Sequence, residues 1–337
     1  MYSDSWGTQL DGGGFLHIIA ATLKTLVIYN PHAGRFPARR IAEGAAAWWR
    51  ARGWQVDIAG TRVAGEATQL ARQAASAAYD AVIVAGGDGS LSQAADGLAG
   101  SPTALGVLPV GTSNVWAREL RLPLTEADSA AAIQRLARAM FEARIEPVDL
   151  GRIGQRHFLL WAGVGLDAHI VSRVEPRERW IKRFGRTYYV ALSFLAATDW
   201  AGADMLVEVD GVALRGRFLL AMAGNNRLYG GGLFRLSPGA SLDDGLLEVW
   251  IFEGRSYGEA LTLAWALYRG RHTRHPRVKC LAGRRISLVA DPPLRVQADG
   301  DLLDELTPVT ITVAPRALRV LAPPSAPADL FSRGDAK

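Results

Sequence analysis

The run Ala81-Val82-Ile83-Val84-Ala85-Gly86-Gly87-Asp88-Gly89-Ser90 constrains the fold more than any other part of this 337-residue chain. Five apolar residues bounded by glycine read as a strand buried on both faces, the habit of a parallel sheet. Gly86, Gly87 and Gly89 let the backbone take positive φ and approach a ligand without Cβ clashes. N–H groups at such a turn, backed by the N-terminus of the following helix, attract a phosphate. The loop therefore points to a nucleotide site, although it has no Gly-Lys-Ser/Thr ending, no Gly-x-Gly-x-x-Gly and no lysine. The alternative is a tight strand-to-helix turn in which glycine serves geometry alone.

The neighbouring sequence repeats this strand–helix unit. Leu26–Tyr29, Trp54–Ile58, Val82–Ala85 and Leu105–Pro109 read as strands. Arg39–Arg52, Gly65–Tyr79, Leu91–Leu98, Ser113–Leu120 and Ala127–Phe141 read as helices. Such repetition implies a parallel sheet with helices on both faces, in which ligands bind at the carboxyl ends of the strands. Three of those ends are Asn30-Pro31, Gly86 to Ser90 and Gly111 to Asn114. After Val148 to Gly151 the texture changes to apolar/polar alternation, in Met205–Val209, Leu219–Ala223, Leu246–Phe252, Ile286–Val289, Leu294–Gln297 and Val309–Val313. That predicts a mostly antiparallel β-domain interrupted by helices near Arg186–Thr198 and Tyr257–Tyr268. The expected division is a flexible extension over 1–22, an α/β domain over 23–147, a β-domain over 148–322 and a disordered tail over 323–337.

Composition narrows the class further. A chain that is 49% hydrophobic and 21% charged is that of a soluble globular protein, and no apolar run is long enough to span a bilayer. Residues 1–22 make a poor signal peptide and read as an extension or as a start codon placed too early. Cys280 stands alone, so no internal disulfide forms, which suits a reducing compartment and a cytoplasmic setting. A net charge of +5 favours acidic partners only weakly.

Several separated motifs then agree. Asn30-Pro31-His32-Ala33-Gly34 resembles the N-P-x-x-G segment of diacylglycerol-kinase-type lipid kinases, a family related to the sphingosine kinases. Gly86 to Ser90 resembles their G-G-D-G-T loop, and Pro109 to Asn114 their P-x-G-T-x-N segment. Gly163 to Ala168, Ser237 to Leu246 and Gln297 to Asp301 also match. The resemblance covers roughly residues 24 to 322. Ser90 replaces the family's threonine, Val115-Trp116 stands where Asp-Phe is common, and Asp301 stands where glutamate is common.

The resemblance implies an N-terminal α/β nucleotide domain and a C-terminal β-sandwich, with ATP and the lipid hydroxyl entering the cleft between them. It implies nucleotide contacts from Asn30, Pro31, Thr61, Gly86, Gly87, Asp88, Gly89, Ser90, Gly111, Thr112 and Asn114. Asp88 reads either as a carboxylate linked to phosphate through a metal ion or water, or as a cap on its own turn. Asp301 is the expected proton acceptor and Asp299 its charge partner or metal link, with the reverse assignment open, and Asp-Gly is equally a turn dipeptide. Asp244, with carbonyls near Ser241 and Leu246, matches a Mg²⁺ position in bacterial members and also reads as a simple turn.

The expected activity is ATP- and Mg²⁺-dependent phosphorylation of a lipid hydroxyl, on diacylglycerol, phosphatidylglycerol or a sphingoid base. A kinase of a soluble substrate such as NAD, or a lipid- or nucleotide-binding regulator without catalysis, are the rivals. Arg177, Arg179, Lys182, Arg183 and Arg186, interleaved with aromatics, read either as peripheral contact with the inner face of a membrane or as a solvated helix face. No nucleic-acid module accompanies these charges, a homodimer is compatible with the chain, and Arg269 to Arg274 read as the polar end of a helix.

Overall fold

A computed structural model describes residues 22–34, 36–124, 129–174 and 198–332. The basic-aromatic segment at 177–186 and most of the helix expected before Thr198 lie outside the described residues, as do residues 1–21. The chain forms two compact units, 1–148 with 317–328, and 149–316 with 329–337.

The first unit is an α/β layer. Its strands are β1 (Lys24–Tyr29), β2 (Gln55–Gly60), β3 (Ala81–Gly86) and β4 (Ala104–Pro109). Helices α1 (Ala38–Arg50), α2 (Glu66–Ser76), α3 (Asp88–Leu98), α4 (Val115–Glu119) and α5 (Ala130–Phe141) connect and follow them. All strand pairs are parallel, in the order β2-β1-β3-β4. β3 and β4 are buried at every position, as strands covered on both faces must be. Trp49 on α1 stacks on Trp54, which stacks on Phe141 of α5, and its indole N–H donates to the Ala137 carbonyl at 2.9 Å. The order matters functionally. Strands added on opposite sides of β1 and β3 leave a crevice above their carboxyl ends, where the Asn30 and Gly86 loops emerge.

The second unit is antiparallel. It contains the part of β5 (Arg144–Ile153) from Asp149 on, β6 (Arg156–Phe158), β7 (Trp161–Gly165), helix α6 (Leu166–Val174), β8 (Ala203–Val209) and β9 (Val212–Gly224). There follow a short hairpin of β10 (Leu228–Tyr229) and β11 (Phe234–Arg235), β12 (Leu247–Glu253), helix α7 (Tyr257–Tyr268) and β13 (Val278–Gly283). β14 (Arg285–Asp291), β15 (Arg295–Ala298), β16 (Asp301–Leu306) and β17 (Val309–Ala322) complete it. The 13-residue β9 pairs with β8 through its first half and with β7 and β12 through its second, so one strand serves two layers of a sandwich. In β8 the alternation predicted from sequence is seen directly, with Ala203, Met205, Val207 and Val209 turned into the core.

Two boundaries differ from expectation. β17 is far longer than Val309–Val313. Its first half pairs with β14, and Arg319 and Val320 pair in parallel with Ala104 and Leu105 of β4 as the last strand of the α/β layer. The tail expected to be disordered from Pro323 is packed over its described part. A 3₁₀ turn at Ala328–Leu330 buries Leu330 and Phe331, and Asp329 pairs with Arg227 at 2.8 Å. Apolar residues spaced among the prolines anchor it, which Pro and Ala content alone does not reveal.

His272 is buried in this unit, stacked at a tilt 5.1 Å from the Trp250 ring, and its Nε2–H donates to the Leu236 carbonyl at 2.7 Å. Burial holds the imidazole neutral and pushes its pKa below the ordinary 6.5. The unfolded chain then binds the proton first, so this contribution to stability is present above pH 6.5 and lost as pH falls through the lower folded value. An NMR titration is expected to place His272 below 6.5, with the melting temperature falling on acidification. A titration at or above 6.5 contradicts this.

Candidate active site

Three loops converge on the crevice of the first unit. Asn30 follows β1, and its side-chain N–H donates to Ser90 Oγ at 3.0 Å while its Oδ1 accepts from the His32 N–H at 2.9 Å. That bridge ties the first loop to the start of α3. The loops also meet backbone to backbone. A Cβ on Gly34 would lie 1.7 Å from the Val110 carbonyl oxygen, and one on Gly111 would lie 2.5 Å from Gly87 Cα.

The glycine–aspartate loop works differently from the sequence expectation. Gly86, Gly87 and Gly89 do not use positive φ; Gly87 is extended at φ −99°. Their use is space. A Cβ on Gly86 would press on Ser90 Cβ at 3.0 Å, Gly87 faces Gly111, and Gly89 faces open space. Positive φ falls instead on Gly34 and Asn114, at 58° and 50°. α3 starts three residues earlier than predicted, so Asp88 lies in its first turn, after an N-cap glycine with no side-chain cap. First-turn N–H groups have no acceptor within the helix, and the N-cap glycine has no side chain to cap them, an arrangement suited to phosphate oxygens.

Other predicted contacts take structural duties. Asp88 Oδ1 accepts from the Trp116 N–H at 3.3 Å and so links the N-termini of α3 and α4. Asn114 is buried and donates to the Gly111 carbonyl at 2.9 Å, closing its own loop. The Thr61 N–H donates to the Tyr29 carbonyl at 2.9 Å. Pro31 and Thr112 are exposed at the rims of their loops. Replacing Gly111 by alanine is expected to force the second and third loops apart, costing about 1–3 kcal/mol of stability. Thermal melting of Gly111→Ala checks this, and a variant that melts with wild type contradicts it.

In the second unit, Asp299 and Gly300 form the two-residue turn between β15 and β16, and Asp301 opens β16 opposite Ala298. Asp299 and Gly300 both have positive φ, 52° and 87°, as the twist of such a hairpin demands. The Asp299 carboxylate accepts from three successive backbone N–H groups, Leu159 at 2.7 Å, Leu160 at 2.8 Å and Trp161 at 3.0 Å. Its own N–H donates to the Trp161 carbonyl at 2.8 Å. Both oxygens are thus used to hold the approach to β7. Asp301 is different: its side chain is 43% exposed and paired with Arg156 at 2.6 Å. An accessible carboxylate on a fixed hairpin, oriented by a guanidinium, can accept a proton from a hydroxyl.

A partly buried network behind this hairpin joins residues of two recognised motifs to a tyrosine that carried no signal in sequence. The Gly300 N–H donates to Gln297 Oε1 at 2.9 Å, Gln297 Nε2 donates to Asp167, and the Tyr229 hydroxyl donates to Asp167 at 2.5 Å. Burial pushes the Asp167 carboxyl above its usual range, and the two donors pull it back. Asp167 and Gln297 stood within recognised motifs. Tyr229 and Arg156 sit in unremarkable sequence.

The Ser237 to Leu246 motif forms an acidic turn. Asp149 accepts from the Gly245 and Arg316 N–H groups, both at 2.6 Å. Asp243 accepts from the Ser332 N–H at 2.6 Å, Ser332 Oγ at 2.7 Å and Ser241 Oγ at 3.1 Å, while Asp244 Oδ1 accepts from the Leu246 N–H at 3.0 Å. Burial raises the pKa of Asp149, and burial followed by the Asp243 charge raises that of Asp244. Among the described residues no lysine or arginine pairs with these three carboxylates, and no set of three His, Cys, Asp or Glu side chains is arranged to hold a metal. Crowded, burial-strained carboxylates fit a hard cation, and with Asp244 as the side-chain ligand the remaining donors would be carbonyls and water.

Comparison with known proteins assigns both halves. Residues 24–153 match the diacylglycerol kinase catalytic domain, and residues 161–322 match the YegS C-terminal NAD kinase beta sandwich-like domain. The chain is 33% identical over 307 residues to the diacylglycerol kinase of Mycobacterium tuberculosis (strain ATCC 25618 / H37Rv), covering 89% of this chain and 95% of the relative. It is 29% identical over 299 residues to that of Staphylococcus aureus (strain MRSA252), covering 88% and 91%. A crystal structure of a diacylglycerol kinase from Bacillus anthracis str. Sterne shares the fold, with a TM-score of 0.67 at 23% identity over 90% of this chain and 98% of that one. The chain belongs to the diacylglycerol kinase catalytic-domain family of lipid kinases.

Proposed function

We propose that this protein transfers the γ-phosphate of ATP directly to the hydroxyl of diacylglycerol. The observation that carries the reading is the match to named diacylglycerol kinases across both units, which spans the glycine-capped start of α3 and the Asp301 hairpin alike. In this reading the first turn of α3 binds phosphate oxygens, with Ser90 held by Asn30. Asp301 accepts the proton of the acceptor hydroxyl, Arg156 fixes its carboxylate, and Asp299 and Gln297 hold the hairpin. Mg²⁺, carried with ATP, would supply neutralisation of phosphate charge when bound, and Asp244 with carbonyls near Ser241 and Leu246 would hold a second, structural ion.

No described helix is long and apolar enough to cross a membrane, so reaching a lipid acceptor calls for peripheral docking at the inner membrane face. Incubation with γ-labelled ATP and, separately, diacylglycerol, phosphatidylglycerol, sphingosine, NAD or buffer tests the reading. Label in the diacylglycerol product alone is expected. Label in NAD alone overturns it, and ATP binding with no transfer to any acceptor favours a regulator.

A further inference from the structure

Helix α7 is apolar on both sides, yet only one side is covered. Leu263 and Leu267 are buried, whereas Leu261, Trp265 and Tyr268 are 38%, 61% and 62% exposed. Spaced i, i+4, i+7, these three fall within about 60° of arc, opposite the buried pair. A helix apolar all round belongs in a core or against another apolar phase. The rings of Trp265 and Tyr268 stack at 5.7 Å, and the Arg269 guanidinium lies 5.9 Å from the Trp265 ring.

Charge identifies what covers this face. From Ala260 to Ala290 the chain contains no Asp or Glu and seven Lys or Arg. Arg269, Arg271 and Arg274 follow the helix directly and are exposed, while Arg277 is paired with Glu259. We propose that the outward face of α7 and the arginines behind it dock on an anionic lipid surface. Trp and Tyr suit the boundary between headgroups and acyl chains, Leu261 adds apolar area, and the arginines meet lipid phosphates. A second copy of the chain fits poorly, because a two-fold contact through this face would set like-charged arginines against each other. The choice of lipid as occupant draws on the lipid-kinase reading, but docking does not depend on which hydroxyl is phosphorylated.

Co-sedimentation of the full chain with phosphatidylcholine vesicles, with and without phosphatidylglycerol, tests the proposal without ATP or diacylglycerol, so its outcome is separate from that of the activity assay. Wild type is expected to bind the anionic vesicles and to be released by salt. Trp265→Ser with Tyr268→Ser should weaken binding at least tenfold at unchanged circular dichroism, with the basic segment at 177–186 intact. Arg269→Gln with Arg271→Gln and Arg274→Gln should abolish the preference for phosphatidylglycerol. Failure of wild type to bind, equal binding by the aromatic variant, or a dimer that the aromatic variant turns into a monomer in light scattering each overturns it.

Discussion

Replacing Asp301 by asparagine is expected to lower kcat by about three orders of magnitude while leaving the fold intact. Positioned general bases contribute about 10²–10⁴-fold to rate, and asparagine keeps the shape but cannot take the proton. Stability should barely move, because the Asp301–Arg156 pair is partly exposed at both ends and such pairs contribute about 0–1 kcal/mol. Arg156→Gln should show a smaller loss of kcat, since it disturbs the orientation of the carboxylate and leaves the acceptor in place. Steady-state kinetics at saturating ATP with parallel thermal melts decide this. An Asp301→Asn enzyme within tenfold of wild type would remove the residue from the mechanism.

Asp299→Asn should fail in the opposite way. The three N–H groups of Leu159, Leu160 and Trp161 share one carboxylate, and bonds to a charged acceptor are worth about 1.5–3 kcal/mol each. Asparagine tolerates the left-handed backbone at φ 52° and retains one accepting oxygen, but its amide N–H₂ confronts at least one backbone N–H. A loss of about 2–4 kcal/mol is expected, lowering the melting temperature by roughly 5–15 °C. The residual activity should follow the folded fraction more closely than it does for Asp301→Asn. A variant that melts with wild type but is inactive would return Asp299 to a role as charge partner or metal link.

The contrast between these neighbours shows what sequence could and could not convey. Periodicity and glycine punctuation located β1 to β4, because a buried parallel strand is a continuous apolar run and β3 is the plainest case, but not the end of β17 that pairs in parallel with β4. The Asp299-Gly300 turn was legible as a turn for the same local reason. Which of its carboxylates faces solvent was not, because that depends on backbone N–H groups about 140 residues earlier. Arg156 and Tyr229 escaped notice because a lone arginine or tyrosine carries no periodicity and gains meaning only beside Asp301 and Asp167. The loop glycines take a different backbone conformation from the positive φ that their sequence suggested. A Cβ at Gly86 would sit tightly against Ser90 of α3 at 3.0 Å, and one at Gly87 against Gly111 of the third loop at 3.3 Å. The start of α3 moved for a related reason, since Asp88 is a poor helix former in isolation but is held by the Trp116 N–H.

Stereochemistry at the transferred phosphorus tests the central claim most directly. With ATP made chiral at the γ-phosphorus by oxygen isotopes and diacylglycerol as acceptor, a single attack by the Asp301-assisted hydroxyl predicts inverted configuration in the phosphorylated lipid. Retention would mean two successive transfers through a phosphorylated enzyme, and would contradict direct transfer.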